Sequence, residues 1–164
     1  MEKRRDFMKK EMRRKDRLVS EEKAREIIEK SEYGMLCTAG LDAVPYAVAV
    51  SHVLYENIIY FHCALVGRKL ENIMENAKVS MSFVSKAEVE QEAYTVRFES
   101  AVVEGTAKMI EDEAEKLLAL QLICKRYSPD LLEGHLDYIQ PRLKHTGICR
   151  IEIDQVSGKV NKKV

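Results

Sequence analysis

Residues 62–69 read HCALVGRK: a histidine and a cysteine end an apolar run, a glycine interrupts it, and two adjacent cations follow. At the start of a helix, Arg68 and Lys69 suit an anion, because the helix dipole, the unpaired first-turn N–H groups and both side-chain charges favour the same sign. A phosphate on a small-molecule ligand would answer that chemistry. The same Gly-Arg-Lys string also fits a solvated turn. Its setting favours the anion, since the apolar strand expected over 44–53 runs beside a strand over 58–64 and offers a flat wall and backbone polar groups to a ring system.

By alternation His62 shares a strand face with Ile58 and Tyr60, so a satisfied core histidine and a ligand-facing one are both open readings. His52, near the end of the preceding strand, could point into the same region. His135 and His145 lie in another segment and give no ligand spacing with either. No HExxH, no paired Cys and no His–carboxylate cluster is present, so no metal site is expected. Walker A, GxGxxG and GxSxG strings are also missing, which removes sequence support for P-loop hydrolysis, dinucleotide binding of the Rossmann type and the hydrolase elbow. Cys37, Cys63, Cys124 and Cys149 form no CxxC pair; they read as reduced, small buried hydrophobes, with Cys63 set apart by its neighbours.

The elements that must position these residues follow from the apolar period. Ser20 is an N-cap candidate, with Glu21 and Glu22 beside the positive helix end and Ala24, Ile27 and Ile28 as the apolar stripe of a helix over 20–31. From Tyr33 the pattern changes to GMLCTA, VPYAVAVSHV and IIYFHCA, three strands in hairpin succession. The second is apolar at nearly every position, which calls for cover on both faces. GRKLENIMENA carries Leu70, Ile73, Met74 and Ala77 at helical spacing, and VSMSFV then alternates as a half-buried strand. After a polar loop at about 85–93 comes a long strand, YTVRFESAVVEGTAKMI, with Gly105 as a bulge or bend. Asp112 and Glu115 have capping-box chemistry before a helix over 113–126. Pro129 and Pro141 bracket an irregular stretch, and GICRIEIDQVSGKV closes the chain as a sixth strand. Six strands without βαβ alternation predict a mainly β, antiparallel barrel decorated by helices.

Composition bounds what such a barrel does. With 164 residues, 46% hydrophobic and 33% charged, the chain fits one domain and can bury a core. No apolar run approaches the roughly 20 residues that span a bilayer, and no apolar segment follows the charged N-terminus as a signal peptide would, so a soluble cytoplasmic protein is expected. Lys+Arg and Asp+Glu both total 27, and zero net charge argues against a nucleic-acid binder. Residues 1–18 carry nine basic and four acidic side chains, leaving the rest five charges negative. A charged arm over 1–18, solvated or docking on a partner, therefore precedes a domain over 19–164.

In the order of its segments the chain resembles the FMN-binding split-barrel proteins related to pyridoxamine phosphate oxidase, and within them the nitroimidazole-resistance-like group. The resemblance is carried by MRRKDR at 12–17, the run from YGMLCTAG to VSMSFV at 33–84, SAVVEGTAKMIED at 100–112 and IEIDQVSGK at 151–159. It implies a six-stranded split β-barrel and a homodimer binding two FMN molecules in grooves at the subunit interface. Arg68 and Lys69 match the basic pair at the FMN phosphate. Ala47, Val48, Ala49, Val50 and Ser51 match the strand whose backbone lies along the flavin. His62 and Cys63 match the pair at the end of the next strand, with His62 beside the substrate, and Ser100 matches a polar position reaching the cofactor. True pyridoxamine phosphate oxidases add a C-terminal segment with Trp and an Arg-Leu-x-Pro ending. This chain has no Trp and ends SGKVNKKV, so that oxidation itself is not expected. The implied activity is an FMN-dependent oxidoreductase of nitroreductase type, with NAD(P)H a candidate donor; the alternative is a non-catalytic flavin or haem binder for storage, sensing or transfer.

Overall fold

The computed structural model describes residues 12–131 and 133–161. Most of the basic arm, residues 1–11, lies outside the described residues. From Lys15 the chain makes a short 3-10 turn, and strand β1 (Leu18–Val19) then pairs with the far end of the last strand, Leu18 opposite Lys159.

Helix α1 (Glu21–Lys30) is capped as its sequence demands: the Ser20 side chain accepts a hydrogen bond from the Lys23 N–H at 3.2 Å. Its stripe of Ala24, Ile27 and Ile28 is fully buried. The strands are β2 (Gly34–Ala39), β3 (Pro45–Val50), β4 (His52–Tyr55), β5 (Ile58–Cys63), β6 (Lys78–Glu90), β7 (Thr95–Met109) and β8 (Gly147–Asn161). Between them lie α2 (Arg68–Glu75), α3 (Glu113–Tyr127) and the short α4 (His135–Ile139).

All the pairings are antiparallel, in the order β3-β2-β6-β7-β8-β5-β4, with β1 added to β8. The two edge strands, β3 and β4, are consecutive in the chain and meet at Ser51 without pairing, which leaves the curled sheet open along that seam. Inside the curl, Leu36, Phe61, Met81, Phe83, Val103 and Ile151 form the core, and α1 closes it. A smaller cluster on the opposite side of β5 packs Val53, Tyr60 and Ile148 against Ala119 and Ile123 of α3.

The strand count is eight where the sequence predicts six, for two local reasons, and a third difference lengthens β6 and β7. The apolar run 44–53 breaks at Ser51 into β3 and β4, a break that unbroken apolar character hides. The two-residue β1 is too short for any period to register. The expected loop at 85–93 is instead a β-hairpin: Val89 stands opposite Val96, and its charged positions pair, with Glu88 near both Lys86 (3.2 Å) and Arg97 (3.6 Å). The alternation AEVE was a strand period whose solvent face happens to be charged.

The capping box at Asp112 is half made. Asp112 Oδ1 accepts from the Glu115 N–H at 2.8 Å, but the Glu115 carboxylate turns to the sheet, accepting from Tyr60 Oη and Arg150 Nη1, both at 2.9 Å. It therefore docks α3 on β5 and β8 rather than closing its own helix end.

Gly105 sits where the β7–β8 register shifts, and a Cβ there would lie 2.4 Å from the Glu152 carbonyl oxygen and 2.7 Å from Ile151 Cγ2. Backbone cannot yield as a flexible side chain would. Gly105→Ala is expected to cost about 1–3 kcal/mol of stability, read as a lower urea midpoint; an unchanged midpoint would refute the close packing at this bulge.

Candidate functional site

The anion-site residues stand where a strand gives way to a helix. β5 ends on His62 and Cys63, paired with Ile148 and Gly147 of β8, and the exposed turn 64–66 leads to Gly67 and α2. Gly67 has φ 132 and ψ 163, a conformation that strains any residue with a Cβ, although a Cβ there would meet nothing within 4 Å. The glycine thus serves the turn and leaves open space before the helix. Its carbonyl accepts from the Leu70 and Glu71 N–H groups at 2.9 and 3.1 Å, and no side chain caps the helix start. Arg68 is exposed and Lys69 half-buried, and the N–H groups ahead of Leu70 belong to the first turn, which has no intrahelical acceptor.

Arg68 lies with its guanidinium carbon 4.7 Å from the centroid of the Tyr46 ring. Tyr46 is the second residue of β3, so this contact joins the helix start to the strand expected along the ligand. On β3, Val48 and Val50 turn inward to the core while Pro45, Ala47 and Ala49 are exposed. The double cover that the apolar sequence calls for is therefore supplied by this chain on one face only. As an edge strand, β3 also leaves every second residue's N–H and C=O unpaired along its free side.

The two histidines on β4 and β5 separate cleanly. His62 is exposed, so the core-histidine reading does not hold for it. The core histidine is His52, fully buried, and the expectation that it could share the region of His62 is corrected. Its Nε2 donates to the Ile28 carbonyl at 2.9 Å and its ring tilts against Phe83 at 4.7 Å between centroids. The difference comes from the covering helices: α1 lies over His52, while α3 covers Tyr60 but stops short of His62.

The cysteines differ likewise. Cys37 is exposed on β2 rather than a buried hydrophobe. Cys149 is buried, and burial, with Cys63 nearby, pushes its thiol up to about 12. Burial also raises the Cys63 thiol, with the Lys69 ammonium pulling the other way. Both thiols are therefore protonated near neutrality, and neither is a ready nucleophile. Among the described residues no group of three or more His, Cys, Asp or Glu side chains is placed to hold a metal ion. No described helix is long and apolar enough to cross a membrane.

Ser100 is not brought to the other site residues within one chain. It lies on β7 opposite Val84 and Lys159, its Oγ 3.5 Å from the Lys159 carbonyl. Met109, nine residues further along the same strand, is the one opposite Cys149, a contour of about 30 Å. Between them the outer face of the sheet carries small and apolar side chains, with Met35 43%, Val84 54% and Val102 39% exposed. Two grooves open on that face: one of 650 Å³ lined by Cys37, Ala39, Pro45 and Ser80 among others, and one of 450 Å³ lined by Tyr33, Met35, Ala49 and Val84 among others.

Two residues of this region had no sequence signal. One is Tyr46, which meets Arg68 across 22 positions of sequence. The other is Tyr127, whose hydroxyl accepts from the His52 N–H at 2.9 Å and lies 3.0 Å from the carbonyl oxygens of His52 and Glu32, pinning the corner just after Ser51. Such contacts follow from the fold, and no local period encodes them.

Residues 20–160 match the family model described as pyridoxamine 5'-phosphate oxidase. No curated protein matches the chain. Among solved structures, the chain is similar to a Bacteroides thetaiotaomicron protein assigned provisionally as a 5-nitroimidazole antibiotic resistance protein, at 27% identity and TM-score 0.77, covering 87% of this chain and 86% of that one. It also resembles a FAD-binding protein of Mesorhizobium loti (23% identity, TM-score 0.63, 89% and 98% covered). A FAD and haem binding protein of Mycobacterium smegmatis matches at 19% identity and TM-score 0.72, with 88% and 72% covered. The last two likenesses establish the fold, a split barrel that hosts flavin and haem in those proteins.

Proposed function

This chain belongs to the pyridoxamine 5'-phosphate oxidase family, and from that premise we propose that it is an FMN-dependent oxidoreductase of nitroreductase type acting as a homodimer. The observation that carries the reading is the contact of Arg68 with Tyr46 at 4.7 Å, because it joins an uncapped, cationic helix start to an exposed edge strand of small residues. The phosphate is held by Arg68, Lys69 and the first N–H groups of α2. The backbone of Ala47, Val48, Ala49, Val50 and Ser51 lies along the ring, where the small outward side chains of Ala47 and Ala49 allow close approach and the free edge offers hydrogen bonds. His62 and Cys63 border the ring; the exposed imidazole is free to meet a substrate, while Cys63 stays a neutral thiol. The flavin, when bound, supplies the electron or hydride transfer, and the chain's own part is to bind, orient and exclude water.

A second copy completes the site. It covers the outer face of the sheet, and Ser100 joins a flavin site from that copy, since strand length separates it from the β5 end at His62 and Cys63 within one chain. Likeness to a FAD and haem binding protein favours, as second reading, a flavin or haem carrier without turnover.

Sedimentation velocity followed at the visible flavin band after FMN addition tests both halves. The expected result is a yellow particle of twice the 18.9 kDa chain mass. A colourless protein sinks the flavin reading, and a yellow monomer sinks the dimer alone. NAD(P)H oxidation with a nitroaromatic acceptor then separates enzyme from carrier.

A further inference from the structure

We propose that Tyr46 is a positioning residue that fixes the Arg68 guanidinium and thereby sets a preference for phosphorylated flavin over its dephosphorylated form. This rests on the FMN reading above and deepens it. Arg68 is the first residue of α2 and is exposed. Among the described residues it has no carboxylate partner, whereas Arg25, Arg97 and Arg150 each pair with glutamate. Its contact is the Tyr46 ring. Stacking uses the face of the guanidinium and leaves its N–H edges free, so the same group can lie on the ring and donate to an anion.

Both halves of the pair are anchored. Tyr46 stands opposite Thr38 in the β2–β3 ladder, half-buried on the face that Val48 and Val50 turn to the core. The helix carrying Arg68 is tied to β2, the strand paired with that of Tyr46: Asn72 Nδ2 donates to Thr38 Oγ1 and Asn76 Nδ2 to the Ala39 carbonyl, both at 3.0 Å. The Glu75 carboxylate accepts from the Leu41 N–H at 2.9 Å, holding the helix to the β2–β3 turn. The ring therefore meets Arg68 at a fixed place, and the arginine gives up less rotamer freedom on binding than a solvated one would. A merely structural tyrosine would act on any ligand of the strand; one acting through Arg68 acts on the phosphate alone.

Titrating FMN and riboflavin into the full chain and its Tyr46→Leu and Tyr46→Phe variants separates these roles. Tyr46→Leu should weaken FMN about fivefold, the size of an exposed cation–π contact, and leave riboflavin affinity unchanged. Tyr46→Phe, which keeps the ring, should bind both as the parent does. Tyr46→Thr replaces Tyr46→Leu if the latter fails to fold. Unchanged FMN affinity in the ringless variant, equal weakening of both flavins, or loss in Tyr46→Phe would each overturn the inference. A parent chain that binds FMN no better than riboflavin would instead remove the phosphate site itself, and Tyr46's role with it.

Discussion

Replacing Arg68 and Lys69 together by glutamate is expected to lower FMN affinity at least about a hundredfold, since two charge-assisted contacts of about 1.5–3 kcal/mol each are lost and repulsion replaces them. The lower end of that range applies, because Arg68 is exposed and Lys69 only half-buried, so solvent screens part of each charge. The variant should fold normally: acidic residues in the first turn favour the helix dipole, so α2 is if anything stabilised. Riboflavin, which lacks the phosphate, should bind the parent and the double variant alike, and the FMN difference should shrink as salt rises. FMN titration by fluorescence at low salt reads all of this. An FMN affinity that survives the double charge reversal would mean the phosphate is held elsewhere.

The local half of this site was legible in the sequence and the assembled half was not. Gly67, Arg68 and Lys69 announce a turn, a helix start and a charge within three consecutive positions, and each of those features is local. The inward and outward faces of β3 follow from alternation, but which face this chain covers does not, because an all-apolar strand gives the period nothing to mark. His52 and His62 illustrate the limit most sharply. Both are histidines in neighbouring apolar strands, and only the placement of α1 and α3 decides that one is core and the other surface. The hairpin at 85–95 was misread for the converse reason: charge on a solvent face looks like loop composition until its cross-strand partners are known. Family resemblance supplied Ser100 as a site residue, yet the β7–β8 register sets it nine residues from Met109, the position opposite Cys149, a separation that no local period encodes.

The buried histidine should also make the protein acid-sensitive well above the carboxylate range. His52 Nε2 faces the Ile28 carbonyl and so carries the proton of the neutral ring, while Nδ1 is buried without a partner. A second proton would sit on Nδ1 with nothing to accept it, in a fully buried ring. Burial accordingly lowers the folded-state value from 6.5 to about 4, the Ile28 hydrogen bond opposing and Arg126 adding to the shift. Since the folded value is the depressed one, the unfolded chain binds the extra proton first. The stability that neutral His52 allows is complete above about 6.5 and is lost as pH falls toward 4. Between pH 7 and pH 5 that loss comes to about 2 kcal/mol, with about 3 kcal/mol reached once both states are protonated. Glu26 and Asp154, whose carboxyls are held low by ion pairs with Lys30 and Lys78, begin to contribute only as pH falls into the ordinary carboxylate range, so the interval from 7 to 5 is dominated by the histidine. His52→Gln keeps a donor for Ile28 and cannot take up the proton. Urea midpoints at the two pH values should therefore drop for the parent and stay nearly level for the variant, and equal drops in both would put the acid sensitivity elsewhere.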